Sequence, residues 1–488
     1  MKDSPKFRIA VSLIPVVALA LMLWFIIAVY GSEAISGGSQ VVLLLAAGLC
    51  IALGTWLFKV PWKAFEDEMG KSVGDLSMAI LILLLIGALS GSWMVSGIVP
   101  AFIYYGVQII SPKVFLITSC VICAIVATAT GSSWTTIATV GVALLGIGRA
   151  EGFSGPVIAG AIISGAYFGD KISPLSDTTI LAAAFNKVPL FSHVRYMMIT
   201  TTPAAVITLA IFLVMGLSHS EGDSSMIQSY RDGLAGTFNI SPWLMIVPVL
   251  TAVLIARKLS AFTVLGLSAI MGAILAVIAQ PDIVYNIGKT VGGDGAFGKL
   301  QCIGAVEMLY NSTAIDTGDA DVDALVATKG MKGMLSTIFL VICSICFGAC
   351  MKASGMLRNL TAILLPLTKR RTGLVTSTVA TGTIMDAIAA DQYLSIMLTS
   401  EIFRDIYEEE GYEGRLLSRS VEDASTVVSP LIPWSSCGMT QATILGIPTL
   451  AYIPFCFFNI LSPLMAIVIA ATGYKIFRKK TGPEAEKK

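Results

Sequence analysis

The chain has 488 residues, 55% of them hydrophobic and 13% charged, with a formal net charge of +1 at neutral pH; its mean hydropathy is +0.82. These values exclude an ordinary soluble domain and a protein that recruits nucleic acid by its global field, and they define a polytopic membrane protein. Nine cysteines lie mostly in apolar segments and the two histidines stand away from them, so the thiols read as buried apolar side chains, with no disulfide framework and no metal site.

In chain order, apolar windows fall near 10–30, 40–58, 76–95, 113–129, 192–217, 243–256, 261–279, 333–350 and 449–474. Each is long enough to cross about 30 Å of hydrocarbon. Windows near 134–148, 155–169, 372–388 and 432–447 are shorter and interrupted by Gly, Ser, Thr or Asp. They are expected to be broken helices or re-entrant hairpins. The first window follows Lys2, Lys6 and Arg8 but is too long for the apolar core of a signal peptide, so it reads as a retained helix.

Charge placement predicts topology. Lys2, Lys6 and Arg8 put the N-terminus in the cytoplasm, Lys59 and Lys63 mark an inside loop, and Arg478, Lys479 and Lys480 put the C-terminus inside. The 218–239 loop, with one Arg against Glu221, Asp223 and Asp232, fits the outside; Arg257 and Lys258 fall inside again. The predicted organisation is a first transmembrane repeat over 1–217, an extracellular linker over 218–240, a second repeat of opposite orientation over 241–475 and a cytoplasmic tail over 476–488. Echoes in the same order support the duplication: Ser96-Gly97 with Ser354-Gly355, Ala129-Thr130-Gly131 with Ala380-Thr381-Gly382, and Ser173-Pro174-Leu175 with Ser429-Pro430-Leu431. The second half carries an extra polar insertion near 301–328, whose Asp316, Asp319, Asp321 and Asp323 read as a solvated face. The fold class is therefore all-α, with two inverted-topology repeats.

The chemistry concentrates in GDKISPLSDTT at 169–179, where Asp170, Lys171 and Asp177 flank a Ser-Pro pair between apolar runs. Intramembrane charges are expensive and mark function by default, and paired polar breaks in two halves point to a transporter's binding site. Proline frees a backbone carbonyl, so Ser173-Pro174 and Ser429-Pro430 can unwind the chain at membrane depth. Freed carbonyls, hydroxyls and carboxylates are hard oxygen ligands that suit a dehydrated sodium ion. TGTIMDAIAADQ adds Asp386 and Asp391, while its counterpart TGSSWTTIATVG offers Thr135, Thr136 and Thr139 without an acid. Bland readings stand beside these: Asp170 paired with Lys171, Asp177 as a helix N-cap, Asp391 and Asp423 at an interface, Trp134 and Trp434 as packing, and Glu408, Glu409 and Glu410 with Tyr407 in a surface loop.

GAYFGDKISPLSDTT at 165–179, GALSGSWMVSGIVPAFIYYG at 87–106 and ATGSSWTTIATVG at 129–141 resemble the NhaC-type sodium/proton antiporters. The resemblance implies a sodium-coupled secondary antiporter, not an enzyme, with Asp170, Ser173, Asp177 and Thr178 near the ion path. By the repeat argument, Asp386, Asp391 and Ser429 join them. Exchangers of organic acids such as malate and lactate share the resemblance, which keeps a small organic anion or an amino acid open as substrate, with Lys171, Thr135 and Trp134 as its candidate contacts. The expected partners are Na+, H+ and the lipid bilayer, without nucleic acid or cofactor; a homodimer is left open. The expected location is the inner membrane of a prokaryote. A channel would need a continuous polar pore, and an aspartyl protease of the membrane a Gly-x-Gly-Asp element that is missing at Asp170.

Overall fold

The computed structural model describes all residues except 1–4, 31–36, 76, 110, 220–223, 258, 320–321, 324–325, 362–369 and 479–488. Among the described residues the structure is helical, with only the isolated bridges Thr313 to Thr328 and Tyr412 to Arg478. Apolar spans have no water to satisfy their backbone, which leaves helices as the available solution. Among the described residues six helices are long and apolar enough to cross a membrane, and up to nine spans result if each bent pair is one span.

The first half runs through α1 (Pro5–Tyr30), α2 (Gly38–Phe58), the polar α3 (Trp62–Asp75), α4 (Ser77–Val95) and α5 (Ile98–Ile109). Next come α6 (Pro112–Thr130) and α7, which is built from Ser133–Thr136, a π turn at Ile137–Gly141 and Val142–Ala150. It closes with α8 (Gly155–Ile172), α9 (Asp177–Phe185) and α10 (Leu190–Leu217). After α11 (Ser224–Thr237), the second half runs through α12 (Ile246–Ala256), α13 (Ala261–Ala279), α14 (Pro281–Gly292), α15 (Phe297–Tyr310), α16 (Gly330–Ala353), α17 (Met356–Thr361), α18 (Arg371–Ala389), α19 (Gln392–Glu409), α20 (Gly414–Ala424), α21 (Ser436–Leu445) and α22 (Phe457–Thr472).

Interruptions recur in the same order. Gly97 (φ +83°) separates α4 from α5 and Gly355 (φ +71°) separates α16 from α17. Gly131 (φ +68°) closes α6 and Ala390 (φ +56°) closes α18, each in the left-handed conformation that ends a helix. The segment after each break restarts on a side-chain cap: Ser132 accepts from Thr135 N at 3.2 Å, and Asp391 from Leu394 N at 2.9 Å. Two hairpins result, α6–α7 and α18–α19.

The hairpins enter from opposite ends of α10. Phe115, early in α6, stacks at 5.5 Å on Phe153, which follows α7, and Phe153 stacks at 3.8 Å on His219, just past the end of α10. At the other end, Tyr196 near the start of α10 donates to Lys475 O at 3.0 Å. Arg371, which opens α18, donates to Ala470 O at 2.6 Å there. The base of the second hairpin is also tied down by Tyr407, whose hydroxyl bonds Thr378 at 3.0 Å.

Two expectations change. Glu408, Glu409 and Glu410 are at the surface as expected, but at the end of α19 and not in a loop, and Tyr407 is buried because its ring closes the core between α18 and α20. The polar insertion near 301–328 starts as a helix, because Gly288 and Gly304 let α14 and α15 touch backbone to backbone. Asp321 lies outside the described residues. Asp323 accepts from Thr317 N and Oγ1 at 2.6 and 2.7 Å, as a loop cap does. Of the cysteines, Cys302 is exposed, Cys346 half-buried and the other seven are buried, all of them free.

The seam between α6 and α8 depends on glycine. A Cβ on Gly165 would stand 2.1 Å from the Cys120 carbonyl oxygen, and neither backbone can yield cheaply. Gly165→Ala is therefore expected to destabilise the protein by roughly 2 kcal/mol or more, the scale of core overpacking. Thermal unfolding of the detergent-purified variant against wild type checks this, and an unchanged midpoint would refute the close approach.

Candidate functional site: a cavity at the hairpin tips

A hairpin whose tip packs among other helices leaves helix ends whose carbonyl and amide groups must be satisfied. The Ser-Pro breaks satisfy them. Ser173, after α8, donates to Thr128 O at 2.8 Å, and Gly131 packs so closely on Leu175 that a Cβ would lie 2.6 Å from its backbone. In the other half, Ser436 N donates to Ala390 O at 2.8 Å and Trp434 Nε1 to Ala387 O at 2.6 Å. Ser429 reaches Asp386 Oδ1 at 3.3 Å. Each tip is thus held by a broken span.

Between the tips lies a cavity of about 670 Å³. Its polar wall comprises Thr130, Ser132, Ser133, Thr135, Asp170, Ser176, Asp177, Thr178, Asp391 and Gln392, with Trp134 and Tyr393 beside them. Met78, Ile255, Leu259, Ser260, Ala261 and Phe262 line its other side. No lysine or arginine lines it among the described residues. The cavity is therefore acidic and rich in hydroxyls.

Helix ends position these acids. Asp170, near the end of α8, accepts from Ser133 N at 3.0 Å and Ser133 Oγ at 2.7 Å, so its carboxylate sits at the start of α7 where backbone amides and the helix dipole favour negative charge. Asp177 is the first residue of α9 and is exposed to the cavity; its neighbour Ser176, not Asp177, is the N-cap. Asp391 caps α19 with Oδ1 and reaches Ser436 with Oδ2 at 3.3 Å. Three helix N-termini therefore meet three carboxylates around one cavity.

Of the residues singled out from sequence, Asp170, Asp177, Thr178, Asp391, Thr135 and Trp134 line the cavity. Ser173, Ser429 and Asp386 lie behind it. Asp386 is fully buried near the end of α18, and its Oδ2 has no hydrogen-bond partner. Lys171 does not face the cavity and does not pair with Asp170. It is fully buried against Asp423, forming an ion pair in which Ser462 also bonds Lys171 Nζ at 2.8 Å and Asp423 at 2.6 Å. Thr200 adds a bond to Asp423 at 3.0 Å. The reason is helical geometry: adjacent residues of a helix point about 100° apart, so Asp170 and Lys171 cannot serve the same site.

Ser176 was missed as the cap of α9, although Ser-Asp-Thr-Thr carries the N-cap signal, and Ser133 was missed as the donor to Asp170, which no local pattern marks. Glu422 and Arg419, both fully buried on α20, were missed because that segment resembles a surface helix in composition.

Opposed hairpins, broken spans and a shared acidic cavity define a multi-pass membrane transporter. Residues 165–474 match the model of the Na+/H+ antiporter family. The chain is 34% identical over 429 residues to the Na+/H+ antiporter NhaC of Bacillus subtilis, covering 88% of this chain and 91% of that protein. It is equally identical over 430 residues to the malate-2H+/Na+-lactate antiporter of the same organism, with 87% and 88% covered. The arginine/ornithine antiporter ArcD of Halobacterium salinarum matches at 34% over 422 residues, 86% of this chain and 83% of that protein. The chain belongs to the Na+/H+ antiporter family, a family of antiporters and not of enzymes.

The Lys171 pairing makes a sharp prediction. Lys171→Met leaves Asp423 as an uncompensated buried charge, a change that costs about 3–5 kcal/mol. Lys171→Met/Asp423→Leu removes both charges and is expected to recover most of that loss. Thermal midpoints of the two single variants and the double variant measure the coupling, and strictly additive losses would contradict the pair.

Proposed function

We propose that this protein exchanges sodium for protons across the cytoplasmic membrane, and that Asp170, Asp177 and Asp391 form the acidic cavity in which the cation is held. The observation that carries this reading is the composition of the cavity wall: three carboxylates, many hydroxyls and no basic side chain among the described residues. Helix C-terminal carbonyls at the breaks are further oxygen donors for sodium, and the ligand set is hard throughout. Cation and proton exclude one another because both answer the same cluster of negative charge. The proposed roles are sodium and proton binding for Asp170 and Asp177, with Thr178, Thr135 and Ser133 as hydroxyl donors or ligands. Ser173 and Ser429 hold the breaks. Asp386 supports the second tip from behind, through Ser429.

The two hairpins entering from opposite ends of α10 support an inverted-repeat arrangement, with the second half repeating the first upside down. Occupation of the cavity by one ion or the other then lets the structure pass between two openings. With Lys59 and Lys63 inside, the present opening beside the α12–α13 connection faces the cytoplasm, as do both termini.

A second reading is favoured by cavity size. About 670 Å³ is more than a bare sodium ion requires and falls in the range that holds small organic molecules. Relatives named as malate/lactate and arginine/ornithine antiporters are 34% identical to this chain over most of its length. An acidic wall suits the cationic end of an amino acid better than a dicarboxylate. Lys171, committed to Asp423, is not proposed as an anion ligand.

Purified protein in liposomes loaded with a pH-sensitive dye tests both. Sodium alone is expected to move protons with saturation, and Asp177→Asn to reduce the apparent sodium affinity at least tenfold, the effect of one lost charged ligand at about 1.4 kcal/mol or more. Asp170→Asn is expected to abolish the response. A wild-type protein silent to sodium, lithium and potassium until an amino acid or organic acid is added would replace the first reading with the second.

A further inference from the structure

We propose that the basic, aromatic pocket at the N-terminal end of α10 binds the headgroup phosphate of an anionic phospholipid, one molecule per chain. This site shares no residue with the acidic cavity and does not depend on which solute is exchanged.

The pocket has a volume of about 550 Å³ and is built from three segments: the first turns of α10, the start of α20 and the chain that follows α22. Two contacts hold the segments together. Tyr196 donates to Lys475 O at 3.0 Å, and Glu413 N donates to Phe477 O at 3.3 Å. Arg195, Arg415 and Lys475 line the pocket, and no acid lines it among the described residues. Arg415 pairs with Glu413 and lies 3.9 Å from the centre of the Phe477 ring. Arg195 and Lys475 are exposed and form no ion pair among the described residues.

A fourth cation stands behind the wall. Arg419 is fully buried on α20, one turn after Arg415, and its guanidinium lies 4.6 Å from the centre of the Tyr196 ring, which itself lines the pocket. None of its three nitrogens has a hydrogen-bond partner. An aromatic face offsets part of the cost of burying a cation, but it supplies no full negative charge. Arg415 lies 5.4 Å from the same ring centre, so two like charges share one ring. Of the four cations, only Arg415 has a carboxylate partner among the described residues. Phe191 and Ser192, in the first turn of α10, also line the pocket, where the helix dipole adds positive charge. A phosphate at this place is the counter-charge that the cluster lacks.

The apolar half of the wall identifies the phosphate as a lipid's. Phe191 and Phe477, 69% and 39% exposed, flank the cations, and Ile199 lies one turn beyond Arg195 along α10. α10 is long and apolar enough to cross a membrane, and α22 ends at Thr472, just before Lys475. The pocket therefore lies where two apolar helices reach their polar ends, the level at which aromatic rings and basic side chains meet phospholipid headgroups. A soluble phosphate would use the cations alone. A phospholipid also sets its glycerol and first acyl carbons on Ile199 and Phe191. Bound there, it joins α10, whose Thr200 bonds Asp423, to α20, which carries Asp423.

The test uses the full chain purified in detergent, with bound lipid counted by native mass spectrometry and stability read as the thermal midpoint. Phosphatidylglycerol is expected to be retained as one molecule per chain and to raise the midpoint; phosphatidylcholine and glycerol 3-phosphate at the same concentration are expected to do neither. Arg195→Gln/Lys475→Gln is expected to bind phosphatidylglycerol at least about tenfold more weakly, the effect of two lost headgroup contacts. Lys289→Gln/Lys299→Gln removes the same charge from exposed positions on α14 and α15 and is expected to bind it as wild type does. Unchanged binding in the first double variant overturns the proposal, as does an equal response to phosphatidylcholine. A response to glycerol 3-phosphate as large as that to the lipid overturns it in favour of a soluble anion, and equal weakening in the two double variants overturns it in favour of general charge attraction. Should the first double variant fail to fold, Arg195→Gln alone is expected to weaken binding about threefold or more, and unchanged affinity there overturns the assignment.

Discussion

Everything in this molecule follows from turning two helices back inside the packed interior. A helix satisfies its own backbone along its length; one that ends among other helices leaves amides and carbonyls that neighbouring groups must meet. The chain answers by bringing each hairpin tip against a broken span of its own half. Thr128 and Ala387 carbonyls receive Ser173 and Trp434, and the amides that open α7 receive Asp170. The polar centre is thus assembled from mutual needs, and a cavity lined by hydroxyls and carboxylates is what remains between the satisfied ends.

The same constraint sorts the charges. Cavity acids sit at helix starts, where the dipole and free amides lower the cost of a negative charge. Lys171, one residue past Asp170, turns away and is neutralised by Asp423 with help from Ser462 and Thr200. Were Lys171 in the cavity, it would compete directly with a transported cation for Asp170. Placing the pair behind the wall keeps a positive charge near the site without letting it fill the site. That arrangement fits a cation binder better than an anion binder, and it explains why a motif that reads Asp-Lys in sequence behaves as two separate features in space.

Much of this was legible beforehand. Hydropathy located the long spans; of the short windows, the one near 134–148 is interrupted by the π turn at Ile137–Gly141 and the one near 432–447 holds only the short α21, whereas those near 155–169 and 372–388 are corrected to the continuous helices α8 and α18, whose Gly, Ser and Thr are accommodated by close packing instead of a break. Asp170, Asp177, Thr178 and Asp391 were identifiable as isolated polar groups in apolar context, and all four line the cavity. Side-chain direction was not legible, since it depends on where each helix ends. A single turn decides that Ser176 caps α9 while Asp177 faces the cavity, and that Lys171 meets α20. The α20 segment was hidden for a related reason: GRLLSRSVEDA has the alternation of an exposed helix, yet it is enclosed on all sides and its polar residues are buried.

That enclosed polar helix bears on how exchange is gated. α20 packs against both arms of the second hairpin, and its end lies beside the break that holds Asp386 and Trp434. Its buried charges gain nothing from water, so they are tolerable only if neighbouring elements compensate them in each state the protein visits. The Lys171 to Asp423 pair ties α20 to α8, and hence to Asp170 and the first hairpin. Under the proposed function, a cation held at Asp170 would act on a residue whose sequence neighbour anchors the opposite half. Coupling between the halves needs no long wire in such a design, because α8 and α20 carry the cavity acid, the buried pair and the second buried carboxyl within a turn or two of one another.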